Sequence, residues 1–311
     1  MQLTITRTPN SIEKAIVHTI SYLFRHWIKR GRNLLFWMVP RNVVFDHEFT
    51  VIDQGKPYSG NLKFGVDYQV FFSQVYEPQN GRILTTIAAH LAQHRDAVHF
   101  IDVGANVGFT SHLMLGQVDS IHSFEPHPQI FQSLLAKWQV HADPTWEIHQ
   151  FGLGAQEAEL NYYEPASLNT GTGSFVAGLT CNGDTPICLP IRQGDRVFAD
   201  LERSNISLIK IDVEGFEPFV LQGLSETLKR DRPVILMETS TMTWQILTDR
   251  DLSLQALVYP DAVAVEIQPR KRGRFQLTVK DFTNLDRKHQ DLLILPIELA
   301  ESLLRQLEQV Q

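Results

Sequence analysis

The chain has 311 residues, 43% of them hydrophobic, and a net charge of −7, which is enough apolar sequence for one large buried core. The charge is uneven, because residues 1–45 contain seven Lys or Arg and one acid, whereas the remainder contains 21 basic and 34 acidic residues. An acidic main body argues against a nucleic-acid partner, since that affinity depends on neutralising phosphates. With only two cysteines, a disulfide framework is excluded and a reducing cytoplasm is the expected location.

The first 45 residues are predicted to form a basic helical extension. Apolar residues recur at helical spacing over 11–38, with Ser11 as the N-cap and basic residues interleaved. The apolar face is expected to pack on the body of the protein or on a second subunit, and the alternative is contact with an anionic membrane surface. Residues 46–96 are predicted to lead into the core, with short strands and turns over 43–76 and a helix over 83–94.

From residue 97 to residue 311 the pattern predicts one main domain in which strands and helices alternate. The predicted strands cover 98–103, 120–126, 146–154, 207–213 and 233–240, and two of the intervening helices cover 128–138 and 216–229. A hairpin (262–268 and 274–280), a last strand (291–296) and a terminal helix follow. This order predicts an α/β fold with a doubly wound, mostly parallel, Rossmann-like sheet, whose ligand crevice lies at the carboxyl ends of the strands.

The turn after the strand 98–103, with the sequence DVGANVGFT, predicts a cofactor site of the nucleotide type. Gly104 and Gly108 lack side chains, so backbone amides can approach a ligand closely. Glu125 ends the next strand, where an acid accepts hydrogen bonds from the ribose hydroxyls of an adenosine. Asn106 stands where a dinucleotide fingerprint has its second glycine, which disfavours a nicotinamide cofactor. The turn instead resembles the cofactor loop of S-adenosylmethionine-dependent methyltransferases, with Asp102 and Asn106 as polar partners for the methionine end.

The stretch LIKIDVEGFE, at the end of the strand 207–213, carries a lysine and three carboxylates. Because alternate strand residues share a face, Lys210 and Asp212 point the same way. An unpaired buried charge costs several kcal/mol, so Lys210 must reach the crevice or pair with Asp212, Glu214 or another acid. Charges at the carboxyl end of a middle strand predict a functional site, with a purely structural ion pair as the alternative.

Together these motifs resemble the FkbM-type family of S-adenosylmethionine-dependent methyltransferases, which have the class I methyltransferase fold and act mostly as O-methyltransferases. The resemblance extends over about residues 45–296, and its most specific string is K-I-D-V-E-G-x-E. The other strings that carry it are VYEP, FIDVGANVGFT, SFEPHP, FGLGAQEAEL, QGDRVFAD and PVILMETS. The first 45 residues have no counterpart in the family pattern, and the chain after METS follows it only loosely.

The resemblance implies where the cofactor, S-adenosyl-L-methionine, is held. Glu125 would bind the ribose, and Pro126 would border the adenine. The FGLG turn, with Gly152 and Leu153, would close over the adenine. The residues implied at the methionine half are Asp102, Gly104, Asn106, Gly108 and Thr110, and two further cofactor contacts are Ala105 of the same turn and Glu77 of the VYEP string.

Methyl transfer to a hydroxyl requires a base that removes one proton. Asp212 is the first candidate and Glu214 the second, with Glu217 and Glu238 as supporting acids and Lys210 as the group that orients a carboxylate or lowers its pKa. The strand exit D-V-E-G differs from the N/D-P-P-Y string associated with amino acceptors, which favours an oxygen acceptor on a small molecule, a sugar or a glycolipid. A nicotinamide-dependent oxidoreductase and a non-catalytic binding protein of the same fold are the alternatives.

No metal site is predicted. The carboxylates of Asp212, Glu214 and Glu238 could hold a hard divalent cation, but one acid cluster is thin support for it. His90 and His94 lie four residues apart on a predicted helix, and without a third ligand a surface pair is expected. The glycine-rich segment 167–178 is predicted to be either a mobile cover over the crevice or a surface connection.

Overall fold

The computed structural model describes residues 5–27, 43–74, 76–163, 173, 175, 186–201, 205–270 and 274–310. The helices are α1 (Ser11–His26), α2 (Gly65–Ser73), α3 (Pro78–Leu91), α4 (Phe109–Met114), α5 (Pro128–His141), α6 (Gly194–Asp200), α7 (Glu217–Gly223), α8 (Ser225–Asp231), α9 (Thr241–Asp249), α10 (Leu254–Leu257) and α11 (Ile297–Gln309). The strands are β1 (Ile5–Arg7), β2 (Val43–Phe45), β3 (Glu48–Asp53), β4 (Lys56–Asn61), β5 (His99–Val103), β6 (Ser120–Phe124), β7 (Trp146–His149), β8 (Gly152–Gly154), β9 (Ala158–Tyr162), β10 (Ile187–Gln193), β11 (Ile206–Ile211), β12 (Val234–Thr239), β13 (Ala262–Pro269), β14 (Phe275–Lys280) and β15 (Gln290–Pro296).

The main sheet has eight strands in the order β14-β13-β15-β12-β11-β5-β6-β7. The strands from β12 to β7 in this order pair in parallel, whereas β15, β13 and β14 pair antiparallel. The chain runs outward from β5 through β6 to β7 and later returns to β11 on the other side of β5. The strand order therefore reverses between β5 and β11, which is where ligands bind in open α/β sheets.

Helices cover both faces of the main sheet, because its central strands are apolar on both sides. On β11, Leu208 belongs to one core cluster, while Ile209 and Ile211 belong to the other. Helices α6, α7 and α9 supply residues to the cluster of Ile209, and α3, α5 and α11 supply residues to the cluster of Leu208. These observations confirm the predicted doubly wound, mostly parallel α/β fold.

Helix α1 packs against α2 and the hairpin β3–β4 through a third core cluster, to which it contributes Val17, Ile20 and Phe24. One apolar face of this helix is therefore covered by the protein itself, as the favoured interpretation of the sequence expected. The N-cap is Asn10 rather than Ser11, because the Asn10 side chain accepts hydrogen bonds from two backbone N–H groups of the first turn. The predicted continuation over 28–38 lies outside the described residues.

A buried ion pair joins α2, which packs against α1 and the hairpin β3–β4, to α5. Lys137 Nζ lies 2.8 Å from Asp67 Oδ1, and both side chains are completely buried. Asp67 also accepts hydrogen bonds from the hydroxyls of Tyr58 (2.7 Å) and Ser133 (3.0 Å). Since removing one partner would leave the other charge uncompensated, the pair ties the two parts together. The domain boundaries near residues 45 and 96 stay predictions.

Three predicted elements differ from the structure. The segment 43–76, predicted as strands and turns, also contains α2. The predicted strand 146–154 is divided into β7 and β8, and β8 belongs to a separate sheet with β10 and β9. There, a Cβ on Gly152 would lie 2.7 Å from the Ile191 side chain. The predicted helix 216–229 is divided into α7 and α8, and α7 ends at Gly223. Gly223 packs closely on Gly154, since a Cβ at Gly223 would lie 1.9 Å from the Gly154 carbonyl oxygen.

His90 is 1% exposed and its Nε2 lies 3.2 Å from the Ser302 hydroxyl of α11, so the prediction of a surface histidine pair is wrong for His90. The terminal helix covers this residue, and that contact cannot be read from local spacing.

No helix in the described parts of the chain is both long and apolar enough to cross a bilayer.

Candidate functional site

A cleft of about 270 Å³ opens at the carboxyl edge of the main sheet, beside the reversal of strand order. Its polar wall includes Glu77, Glu125, Asp212, Glu214, Glu238 and His289, and its apolar wall includes Val66, Ile130, Tyr162, Phe175 and Val213. Among the described residues that line it, none is Lys or Arg. The cleft is therefore rich in carboxylates and bordered by aromatic and aliphatic surface.

The turn between β5 and α4 packs tightly against the exit of β11. Gly104, Asn106 and Gly108 all have positive φ angles, of 79°, 52° and 81°. A Cβ at Gly104 would lie 1.9 Å from the carbonyl oxygen of Asp212, so only glycine permits this approach. Gly104 and Asn106 both line the cleft, as the sequence predicted for the methionine end of the cofactor.

Glu125 follows β6 and holds this turn in place. Its carboxylate accepts hydrogen bonds from the backbone N–H groups of Asn106 (3.0 Å) and His127 (2.8 Å). Burial raises the pKa of Glu125 to about 7, against the opposing effect of these two hydrogen bonds. A carboxylate has about four acceptor positions, so this group keeps capacity for ribose hydroxyls. Pro126 also lines the cleft, next to Glu125.

Several residues predicted to bind the cofactor support the cleft without lining it. Asp102 is fully buried, and its Oδ2 accepts a hydrogen bond from the Ser111 hydroxyl (2.6 Å). Its Oδ1 has no hydrogen-bond partner among the described residues. Burial raises the pKa of Asp102, although the ammonium of Lys210 opposes the shift. The others that are not among the lining residues are Ala105, Gly108, Thr110, Gly152 and Leu153.

Lys210 and Asp212 form an ion pair at the end of β11, with Nζ 2.8 Å from Oδ2. Burial alone would lower the pKa of Lys210, but the charges of Asp212, Asp102 and Glu77 outweigh it and raise the pKa well above its usual range. Burial likewise opposes ionisation of Asp212, yet Lys210 holds the pKa of Asp212 below its usual range. This pairing explains how a core strand accommodates charged groups.

Glu238, at the end of β12, lies next to Asp212. Burial and the negative charge of Asp212 raise the pKa of Glu238 far above its usual range, and the two carboxyl groups share a hydrogen bond. The pair therefore holds one proton near neutral pH, as expected for two acids in contact. His289 Nε2 lies 2.7 Å from Glu238 Oε1 on the open side of the cleft.

Asp291 and Asn80 extend the acidic cluster beneath the cleft. Asn80 Nδ2 lies 3.1 Å from Glu77 Oε2 and 3.3 Å from Asp291 Oδ1, and so links the two acids. Burial and the charge of Glu77 raise the pKa of Asp291 to about 7, against the opposing hydrogen bond from Asn80. Asp291 pairs with Glu238 in the sheet register, so acids from β12 and β15 meet at the carboxyl end of β12.

The other two acids of the K-I-D-V-E-G-F-E string have different positions. Glu214 lines the cleft with a φ of 50°, and burial, Asp212 and Glu217 together raise the pKa of Glu214 to about 7. Glu217 is buried and is not among the lining residues. Its carboxylate accepts hydrogen bonds from Gly215 N (3.0 Å) and the Thr243 hydroxyl (2.7 Å), which joins the turn to α9.

The structure adds residues that the sequence predictions did not include. Tyr76 and His289 line the cleft, and the start of β15 brings His289 there because this strand runs antiparallel to β12. Recognising 291–296 as an antiparallel neighbour of the strand 233–240 would have found it. Of the predicted cover 167–178, only Gly173 and Phe175 are described, and both line the cleft.

Comparison with known proteins identifies the family of this chain. The family model described as "Methyltransferase FkbM domain" matches residues 102–288. "Methyltransferase 1" of Beauveria bassiana (strain ARSEF 2860) is 26% identical over 154 residues, which is 44% of this chain and 62% of that protein, or less than two thirds of the relative's length.

Two solved structures are similar at low identity. Methyltransferase FkbM from Methylobacillus flagellatus KT is 17% identical, with a TM-score of 0.39 over 64% of this chain and 44% of that one. A SAM-dependent methyltransferase from Agrobacterium tumefaciens is 7% identical, with a TM-score of 0.42 over 80% of this chain and 70% of that one. The family match itself covers more than half of the chain, including both glycines of the β5 turn and the K-I-D-V-E-G string. It confirms the resemblance seen in the motifs, and the chain belongs to the FkbM methyltransferase family.

Proposed function

We propose that the protein transfers a methyl group from S-adenosyl-L-methionine to a hydroxyl group of a small molecule, a sugar or a glycolipid. The charge of the cleft is the observation that carries this proposal. Among the described lining residues, five have carboxylates and none is Lys or Arg. Lys210 balances Asp212, Glu238 is protonated beside it, and Glu125 and Glu214 are partly ionised near pH 7, so the negative charge of the lining is partial. A lining of this sign without a cationic side chain attracts the sulfonium cation of S-adenosylmethionine and repels the pyrophosphate of a dinucleotide. The nicotinamide alternative is disfavoured on the same ground.

The residues around the cleft fit the parts of this cofactor. Glu125 has acceptor positions for the ribose hydroxyls, and Pro126 offers an apolar edge for the adenine. Gly104 and Asn106 border the expected position of the methionine end. When bound, the cofactor supplies an electrophilic methyl group, and this chain must align the acceptor oxygen and remove its proton.

Glu214 is the group that we propose as the base. A general base works best when its pKa lies near the working pH, and the pKa of Glu214 is raised to about 7. Asp212, the first candidate from the sequence, has its pKa lowered by Lys210 and so remains an anion. In this proposal Asp212 accepts a hydrogen bond from the acceptor hydroxyl and orients it. Glu238 and His289 connect Asp212 to the exposed rim of the cleft.

The test uses methyl-labelled S-adenosylmethionine, the full-length protein and a cell extract, with labelled products identified by mass spectrometry. We expect the label on an oxygen, a rate reduced at least tenfold in Glu214→Gln and Asp212→Asn, and an unchanged rate in Glu226→Gln. Glu226 is the matched control because its side chain is 75% exposed and lies outside the cleft. Label on nitrogen or carbon would contradict the hydroxyl acceptor. Absence of cofactor binding would contradict the whole proposal.

We also propose that α1 contacts an anionic membrane surface. Ile12, Ile16 and Trp27 are 73%, 43% and 76% exposed, beside the face of α1 that is buried in the protein. The sequence of the first 45 residues is also basic, with seven Lys or Arg and one acid, and sequences that combine exposed apolar residues with basic ones favour anionic lipid headgroups. A lipid-linked acceptor would then meet the enzyme at the membrane.

Vesicle co-sedimentation tests this contact. We expect the full-length protein to sediment with phosphatidylserine vesicles more than with phosphatidylcholine vesicles. The double variant Ile12→Ser/Ile16→Ser should lose that preference, and Val279→Ser, an exposed apolar residue on β14, should keep it. Equal sedimentation of the wild type and the double variant would contradict the proposal.

A further inference from the structure

We propose that His122, Glu147 and His149 form a binding site for a divalent transition metal, with zinc as the expected ion. The three residues lie on the edge strand β7 and on its neighbour β6, and none of them lines the cleft. This site is independent of the proposed methyl transfer. It uses the donor types that zinc prefers in proteins, two imidazoles and one carboxylate.

The register of the sheet brings the three side chains to one face. His122 pairs with Glu147, and Phe124 pairs with His149, in the parallel ladder between β6 and β7. Because residues two apart on a strand share a face, His122, Glu147 and His149 project from the same side of the sheet. Two strands that are separated by 21 residues in the chain thus supply one convergent set of donors.

The distances between donor atoms suit a four-coordinate ion. His122 Nδ1 lies 3.2 Å from His149 Nε2 and 3.8 Å from Glu147 Oε2. All three donor atoms lie within 4.8 Å of one another. A tetrahedral zinc with bonds of about 2.0–2.1 Å needs donors that are about 3.4 Å apart. Small rotations of the side chains would bring all three to that separation around one ion.

The surroundings of the three side chains restrict their donor atoms and leave access for an ion. The His149 ring stacks on Phe124, with centroids 4.6 Å apart and planes at 14°, which restricts the direction of its nitrogens. Glu147 is 42% exposed, so an ion can enter and a water can complete its coordination.

The site also has a structural connection to the cleft. The N–H of Glu125 donates to the carbonyl oxygen of His149 at 3.1 Å. A metal that joins β6 to β7 would therefore hold the strand ends beside the proposed ribose-binding carboxylate. We expect the ion to stabilise this edge of the sheet, because it binds the folded chain and the unfolded chain lacks the preformed site.

The test titrates the chelator-treated, full-length protein with Zn²⁺ against a chromophoric competitor and with Co²⁺ by visible absorption. We expect one equivalent of tightly bound metal, the intense absorption of tetrahedral Co²⁺ and a zinc-dependent rise in the melting temperature. His149→Ala and Glu147→Gln should each weaken zinc binding at least tenfold and abolish the rise. Both side chains are partly exposed, and far-UV circular dichroism would verify that the variants fold.

Two matched controls separate this site from other histidines. His289→Ala removes the histidine of the cleft, and His94→Ala removes a ring that lies beside His90 just after the end of α3. Both controls should bind zinc as the wild type does. The proposal would be overturned if the wild type bound no stoichiometric zinc, or if His149→Ala retained the binding that His289→Ala lost.

Discussion

Replacing Gly104 with alanine tests how the cofactor turn is built. The added Cβ would lie 1.9 Å from the carbonyl oxygen of Asp212, so the turn and the exit of β11 would have to separate by about 1 Å. The φ of 79° is also unfavourable for alanine. Both effects act where the two motifs of the cleft meet, and neither involves the loss of a side chain.

The expected magnitude follows from two contributions to the free energy of unfolding. A left-handed conformation costs a non-glycine residue about 1–2 kcal/mol. Forcing packed atoms apart adds roughly 1–3 kcal/mol. Gly104→Ala should therefore destabilise the protein by about 2–5 kcal/mol and weaken S-adenosylmethionine binding at least tenfold, because Gly104 and Asp212 both line the cleft.

Gly116 and Gly55 provide matched controls, since their φ angles are 70° and 80° and a Cβ on either would have nothing within 4 Å. Their alanine variants should lose only the conformational part, about 1–2 kcal/mol, and should bind the cofactor normally. Urea unfolding and calorimetric titration with S-adenosylmethionine measure the two quantities. If Gly104→Ala were as stable as Gly116→Ala and bound the cofactor equally well, the close contact of the two motifs would be refuted.

Three further predictions concern the charged groups. The rate of methyl transfer should rise with pH through about 7, because Glu214 must lose its proton to act as a base, and Glu214→Gln should remove that step from the pH–rate profile. Lys137→Met should lower the free energy of unfolding by about 3–5 kcal/mol, because it leaves the Asp67 carboxylate buried and unpaired. Lys229→Met, which removes an exposed ion pair, should change the free energy of unfolding by less than about 1 kcal/mol. Urea titrations measure both variants, and equal losses of stability in Lys137→Met and Lys229→Met would contradict this reasoning. The pKa of Glu217 is raised from 4.5 to about 7 in the folded state, chiefly by burial, so the folded protein binds this proton more tightly than the unfolded chain does. Its contribution to stability should be complete below pH 4.5 and lost as the pH rises through 7, and Glu217→Gln should flatten that part of the pH dependence of the urea midpoint.

The sheet and most of the cofactor-side residues could be predicted from local sequence. Predicted strands at 98–103, 207–213 and 233–240 agree with β5, β11 and β12 to within a residue or two at each end. Parallel strands that are buried on both faces require continuous apolar runs, and such runs are visible without knowledge of the rest of the chain. For the same reason Gly104, Glu125 and Asp212, each directly after such a run, were predicted at the crevice that they line.

The division of roles among the acids depends on the tertiary structure. Asp212, Glu214 and Glu217 lie within six residues, yet one pairs with Lys210, one lines the cleft with a raised pKa, and one is buried as a support for α9. Protonation follows burial and neighbouring charge, which come from other strands and helices. Local sequence cannot distinguish three carboxylates that differ only in these contacts.

The sequence by itself therefore determined the family, the alternation of strands and helices, and the turn and carboxylates at the crevice, because each depends on residues that are adjacent in the chain. Only the tertiary structure decided what distant segments contribute. It brought His289 to the cleft by the antiparallel direction of β15, and it brought His122 opposite Glu147 and close to His149 by the pairing of β6 with β7. These contacts depend on strand order and register, which arise from packing over the whole sheet rather than from any local pattern.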